Sequence, residues 1–234
     1  MVLIYFFDLM SQPSRALYIF LKLAKIPFEA RPVALTEGEH FTEEFKEKYS
    51  KFQKVPFIHD GNFRLTERYL ENMLEFFRYL IREYPVDDHW YPKDSKHQAR
   101  VDEYLEWQHL NIRMYCSIYF VTKWLIPTLT GKQPTPEKLK KVEDDMANIL
   151  DKFEELFLAN GPFINGLKIS FADILAACEI EQPRMAGYDA KEGRPVLKSW
   201  MERVRNECNP YYDEAHEMVN KIAESSLIKL QAKL

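Results

Sequence analysis

The apolar run Val2-Leu3-Ile4-Tyr5-Phe6-Phe7 closes on Asp8. Five residues later Pro13-Ser14-Arg15-Ala16-Leu17-Tyr18-Ile19-Phe20-Leu21 begins. An unbroken apolar hexamer is the pattern of a strand covered on both faces. Pro13 suits the first position of a helix, where its missing N–H is not needed, and Leu17, Phe20, Leu21 and Ala24 recur at helical spacing behind it. Phe28 to Ala34 is short, carries Pro32 and reads as a second strand near a sheet edge, so strand, helix and strand form a βαβ unit with parallel strands. Val55 to His59 and Phe63 to Thr66 flank Asp60-Gly61-Asn62, a turn signal that predicts an antiparallel hairpin. A helix is expected from near Glu67, with Leu70, Met73, Leu74, Phe77, Leu80, Ile81 and Tyr84 on one face.

The character of the chain changes after Tyr84. Pro85, Pro92, Asp87, Asp88, Lys93, Asp94 and Ser95 interrupt helix and suggest a boundary. The expected division is a first domain over 1–84, a linker over 85–97 and an all-helical domain over 98–234. Val101, Leu105, Ile112, Tyr115 and Tyr119 predict helix from Gln98 to Leu125, with Pro127 just beyond its end. Thr135-Pro136 caps a second long helix with Leu139, Val142, Met146, Ile149, Phe153 and Leu156 on its apolar face. Ser170-Phe171-Ala172-Asp173 has the form of a capping box, with Asp in place of Glu. Further helices are expected around Val196 to Val204 and Tyr211 to Ala223. The fold class is α/β plus all-α.

Composition narrows the function. Of 234 residues, 46% are apolar and 14% aromatic, enough to bury a substantial core. A net charge of -4, with basic and acidic residues interspersed, argues against nucleic acid as a partner. The opening run lacks a basic flank, a cleavage site and the length to span a bilayer, so neither export nor a membrane partner is expected. Cys116, Cys178 and Cys208 are far apart and form no C-x-x-C pair, which points to buried thiols in a reducing, cytoplasmic compartment. The six histidines show no ligand spacing with acids or cysteines, so no metal is expected. Gly-x-Gly-x-x-Gly, Walker and Gly-x-Ser-x-Gly loops are absent from the sequence.

Candidate chemistry gathers in the first domain. Ser11-Gln12-Pro13-Ser14 occupies the turn from first strand to first helix, where a thioredoxin-like redox protein carries its C-x-x-C. Serine stands at both thiol positions, so the turn forms no disulfide. A hydroxyl at a helix N-terminus still donates to an anion that the helix dipole favours, a thiolate being one candidate; on chemistry alone, a plain helix cap remains the competing reading. Pro56, in Lys54-Val55-Pro56, is either an ordinary turn proline or a cis proline that turns the Val55 backbone outward to pair with a peptide. Glu67-Arg68 stands at a helix start that invites a carboxylate, or is simple N-terminal charge. His40 is either a carboxylate partner or a solvated side chain.

Taken together, Ser11-Gln12-Pro13-Ser14-Arg15-Ala16, Lys54-Val55-Pro56, Leu65-Thr66-Glu67, the stretch from Val101 to Gln108, and Ile169-Ser170-Phe171-Ala172-Asp173 resemble the theta class of glutathione transferases across nearly the whole chain. The resemblance implies a thioredoxin-like N-terminal domain that holds glutathione and a helical C-terminal domain that holds a hydrophobic electrophile. It implies that Ser11 steadies the glutathione thiolate and that Val55 pairs with the cysteinyl backbone while Pro56 holds the turn. His40 and Lys54 then face the glycine carboxylate, and Glu67 the γ-glutamyl end. It places Arg113 near the leaving group or thiolate, and Tyr115 and Tyr119 beside the electrophile; the residues alone favour a solvated charge for Arg113 and core packing for the tyrosines. A homodimer is implied as well. Two departures stand out: Arg68 replaces the usual serine and is followed by an insertion that lengthens the helix, and Lys51 stands where the pattern often has proline. Arg68 either supplies a bidentate partner for the γ-glutamyl carboxylate or distorts that subsite, and the second outcome leaves a non-catalytic or weakly active binding or scaffold protein as the alternative function.

Overall fold

Side chains alternate across a strand, so the aromatic opening run needs cover on both sides. The computed structural model, which describes residues 2–65 and 73–231, supplies it. On one face of β1 (Leu3–Phe7), Tyr5 and Phe7 stack with centroids 4.8 Å apart. Phe7 meets Tyr18 of α1 (Gln12–Leu23) at 5.6 Å, and Tyr5 meets Phe28 of β2 (Phe28–Pro32) at 5.8 Å. On the other face Phe6 lies against Tyr49, just beyond α2 (Glu43–Lys48), and stacks at 4.3 Å on Phe57 of β3 (Phe57–Asp60). With β4 (Phe63–Leu65) the sheet order is β2-β1-β3-β4; β1 and β2 are parallel, the other pairs antiparallel. Gly61, at φ 58°, makes the tight β3–β4 turn. Phe77 of α3 (Met73–Glu83) packs edge-on against Phe20 of α1 at 5.1 Å.

Residues 1–88 form one compact unit and 89–234 another. The second unit is helical, but its first helix is not the single span expected from 98 to 125. It starts earlier, as α4 (Ser95–Trp107), capped by the Asp94 side chain, which accepts from His97 N–H. It breaks at Asn111 (φ -124°, ψ -104°), whose side-chain amide takes the Trp107 carbonyl at 2.7 Å in competition with the backbone ladder. α5 (Ile112–Phe120) then resumes. Pro127 does not lie beyond the end of helix: a π-turn over Val121–Leu125 leads into α6 (Ile126–Thr130), with Pro127 in its first turn, where no N–H is needed. Gly131 ends it at φ 72°. In the first unit Pro13 is likewise the second helical residue, not the first.

Thr135 caps α7 (Pro136–Phe157), as its sequence indicates, by accepting from Lys138 N–H. The Ser170–Asp173 box opens α8 (Phe171–Glu181), which is buried along its whole length. α9 (Pro195–Cys208) follows, and the helix expected over 211–223 is two, α10 (Tyr211–Ala215) and α11 (Glu217–Gln231), parted at His216, whose ring Nδ1 meets the Tyr212 carbonyl at 2.8 Å. Cys116, Cys178 and Cys208 are buried free thiols, and burial pushes those of Cys116 and Cys208 well above their ordinary range. Among the described residues no helix is long and apolar enough to cross a membrane.

Glu181 ends α8 in a buried ionic knot with Arg184 and Lys191, the latter at 3.2 Å. Burial by itself would raise this carboxyl; Lys191 and Arg184 outweigh it and hold the group down at about 2. A depressed carboxylate stabilises the fold above its ordinary value of 4.5, and the contribution is lost as pH falls toward 2. Glu181→Gln is therefore expected to remove about 3 kcal/mol at neutral pH. In urea unfolding, the gap between variant and parent should narrow as the pH is taken below about 4; a gap independent of pH would assign the loss to packing instead.

Candidate active site

Three segments meet at one end of the sheet because the register requires it. Phe7 at the end of β1 pairs with Pro32 at the end of parallel β2, and Phe6 pairs with Phe57 at the start of antiparallel β3. The loop from β1 into α1, the segment from Val33 to Phe41 and the turn Gln53–Pro56 therefore share that end.

The β1–α1 loop is tied from several sides. Asp8 accepts from Met10 N–H at 2.8 Å and from Leu35 N–H at 3.1 Å, while its carbonyl takes Ser11 N–H at 3.0 Å. Arg15, fully buried in the first turn of α1, donates from Nη1 to the carbonyls of Leu9 at 2.8 Å and Met10 at 3.2 Å. Ser11 is the residue before the helix (φ -84°, ψ 126°), yet its side chain makes no capping hydrogen bond. The hydroxyl therefore sits half-buried in the cap position, beside the N-terminus of a 12-residue helix, without doing a cap's work.

His40 belongs to a short 3₁₀ turn, Glu39–Phe41, with its ring 3.8 Å from that of Phe41. Glu39 accepts from Ala34 N–H at 2.7 Å, and Asp8 holds Leu35, so the turn is fastened to the same loop as Ser11. Burial lowers the His40 ring below its ordinary value, against the opposing pull of Asp8 and Glu39, which favours the neutral imidazole. Lys54 is exposed. The Val55–Pro56 bond is cis, and Val55 lies ahead of the β1–β3 ladder, whose register begins at Phe57. Gln53 adopts a left-handed φ of 54°, a conformation that persists only where the surroundings fix it; its N–H donates to Ser50, itself buried. Glu67 and Arg68 lie outside the described residues.

In the second unit α5 carries the other three residues singled out from sequence. Arg113 is no solvated charge: only 13% of its side chain is exposed, and it faces the fully buried Glu179 of α8 at 3.9 Å. Tyr115 is half-buried. Tyr119 is core, packed edge-on against Tyr188 at 5.5 Å, with its hydroxyl accepting from Lys123 Nζ at 2.6 Å. Tyr115 and Tyr119 are one turn apart, whereas Arg113 and Tyr115 do not share a face.

Sequence reasoning passed over Asp8, Arg15, Gln53 and Glu179. Arg15 left a signal, since a cation in the first turn opposes the helix dipole and needs another reason to be there. Asp8 follows a strand directly before a turn, where a carboxylate commonly binds the backbone two residues on. Gln53 and Glu179 left none. Among the described residues, no cluster of three or more histidine, cysteine or acidic side chains is arranged to hold a metal ion.

A thioredoxin-like unit with a serine before its first helix and a cis proline before its third strand, joined to an all-helical unit, defines a class. The family model "Glutathione S-transferase, N-terminal domain" matches residues 1–68, and "Glutathione S-transferase, C-terminal domain" matches 118–207. Bovine glutathione S-transferase theta-1 is 40% identical over 94% of this chain and 90% of its own length. The apo form of human glutathione-S-transferase T1-1 superposes with a TM-score of 0.89 at 39% identity, covering 95% of this chain and 91% of that one. A human theta-class transferase in complex with the glutathione conjugate of 1-menaphthyl sulfate gives a TM-score of 0.88 at 38% identity, covering 98% and 92%. The chain belongs to the glutathione S-transferase family, in its theta class.

Proposed function

We propose that the protein joins the sulfur of glutathione to hydrophobic electrophiles, a detoxifying conjugation, with Ser11 as the catalytic residue. The observation that carries this reading is the Ser11 hydroxyl, placed at the mouth of α1 and committed to no capping bond. Membership of the theta class and the human relative's complex with a glutathione conjugate support glutathione as co-substrate. Ser11 donates its hydrogen bond to the sulfur and, with the helix dipole, favours the thiolate. Lowering a thiol from about 8.5 by roughly two units takes about 2.7 kcal/mol of preferential anion binding, within reach of one charge-assisted bond and a dipole. The thiolate lone pair forms a bond to the electrophilic carbon. In a displacement the leaving group departs with its bonding electrons; in an addition the π electrons shift to the acceptor, which then takes a proton.

Residues 1–84 hold glutathione in this reading. The outward backbone of Val55, set by the cis Pro56, pairs with the cysteinyl part; His40 and Lys54 take the glycine carboxylate; Glu67 and Arg68 serve the γ-glutamyl end. Residues 98–234 hold the electrophile, with Arg113 and Tyr115 as its candidate contacts, and 85–97 link the two; Tyr119, fully buried against Tyr188, packs the core instead. The protein works as a cytoplasmic homodimer, a compartment in keeping with its three buried free thiols. The experiment is a glutathione titration followed by thiolate absorbance at neutral pH, paired with a conjugation assay. Saturable thiolate absorbance with turnover is expected. Saturable binding without either signal would make the chain a glutathione-binding scaffold instead.

A further inference from the structure

Ser14, one turn into α1, is fully buried, and its hydroxyl has no hydrogen-bond partner among the described residues. A buried hydroxyl without a partner is costly and calls for an explanation. The usual escape for a helical serine is a bond back to the carbonyl three or four residues earlier. Here the Ser14 hydroxyl makes neither bond, although Ser11 O, which accepts the Arg15 backbone N–H at 3.0 Å, and Met10 O, which accepts Arg15 Nη1 at 3.2 Å, each keep a second lone pair. The backbone of Ser14 is held in turn by the Tyr5 hydroxyl, which donates to its carbonyl at 2.7 Å from within β1. An isolated polar group is thus fixed in place three residues after Ser11, the spacing at which a cap residue and the third residue of a helix reach one another.

We propose that Ser14 is a positioning residue for conjugation: its hydroxyl donates to Ser11 Oγ once Ser11 has turned its own proton on to the glutathione sulfur. A serine oxygen donates once and accepts through two lone pairs, so Ser11 can do both together. A donor behind Ser11 polarises its O–H and strengthens the bond it makes to the thiolate. Ser14 is fully buried and acts through Ser11 without touching the sulfur. The proposal rests on the catalytic reading of Ser11, and its test separates the two.

The test is a double-mutant cycle of Ser11→Ala, Ser14→Ala and the pair, reading the thiol pKa of enzyme-bound glutathione by absorbance, kcat/KM at neutral pH, and unfolding in urea. Ser14→Ala is expected to raise the bound thiol pKa by about half a unit and cut kcat/KM roughly threefold, since a second bond in a chain strengthens the first by a modest fraction. It should change neither quantity in the Ser11→Ala background. Its resistance to urea should stay level or rise, because an unpaired buried hydroxyl has gone. Ser14→Cys, similar in size with a weak donor, should fall between parent and alanine. An equal shift in both backgrounds, no shift in either, or a Ser14→Ala protein that unfolds more easily would overturn the role of Ser14. If Ser11→Ala itself leaves the thiol unchanged, the reading beneath it fails first.

Discussion

Replacing Ser11 with alanine is expected to lower kcat/KM about 10²- to 10³-fold at neutral pH, the loss typical of one preorganised donor to a developing or resting anion. The thiol of bound glutathione should move up by roughly two units, to about 8.5, so that only a few per cent remains ionised near pH 7. The sign of the pH dependence follows. Between neutrality and pH 9 the parent should be flat, its sulfur already ionised, while the variant should gain rate with each unit of pH until its thiol titrates. Glutathione affinity should fall about fourfold at pH 7 and further as pH rises, because the variant loses its preference for the thiolate while the tripeptide keeps its backbone and carboxylate contacts. Stability supplies the control: alanine at a working cap costs about 1 kcal/mol, but this hydroxyl makes no capping bond, so unfolding should be nearly unaffected. A variant that loses stability and keeps its pH profile would return Ser11 to the role of a helix cap.

The first unit was legible because its signals are local. A two-sided strand needs an uninterrupted apolar run, the Gly61 turn needs positive φ, and both are written in adjacent residues. The location of Ser11 followed from that framework, as did the turn that holds Val55 and Pro56. What sits around them was not readable. Arg15 finds its acceptors on a loop that exists only once β1 and α1 are placed, and the left-handed Gln53 depends on a turn braced by buried Ser50. In the helical unit, periodicity announced helix between 98 and 125 correctly in kind. It was blind to the side chain of Asn111 taking a backbone carbonyl and to the π-turn ahead of Pro127, since neither disturbs the apolar pattern. Arg113 shows the same limit: its buried partner Glu179 is 66 residues away, and no local rule marks an arginine as buried.

Asp173→Ala should be strongly destabilising to the helical unit. The sequence marks Asp173 as half of a capping box, worth about 1 kcal/mol in that role alone. The structure makes it a fully buried hub with four donors: Ile164 N–H at 2.9 Å and Trp200 Nε1 at 3.0 Å on one oxygen, Ser170 N–H at 2.9 Å and Ser170 Oγ at 3.0 Å on the other. Alanine leaves these donors buried without an acceptor, at about 1–3 kcal/mol each before relaxation, so a loss of about 4–5 kcal/mol is expected. Against a typical stability of about 5–15 kcal/mol, that is enough to drive much of the protein into aggregates when expressed warm. Asp173→Asn keeps one acceptor oxygen and turns an amide toward the other two donors, so it should be damaging but milder. The decisive measurement is the coupling with Trp200, which lies fully buried on α9. Trp200→Phe removes one of the four donors in advance; in that background Asp173→Ala should cost about 1–2 kcal/mol less, measured by far-ultraviolet circular dichroism in urea. Strict additivity would mean that the tie from the start of α8 across to α9 carries no energy.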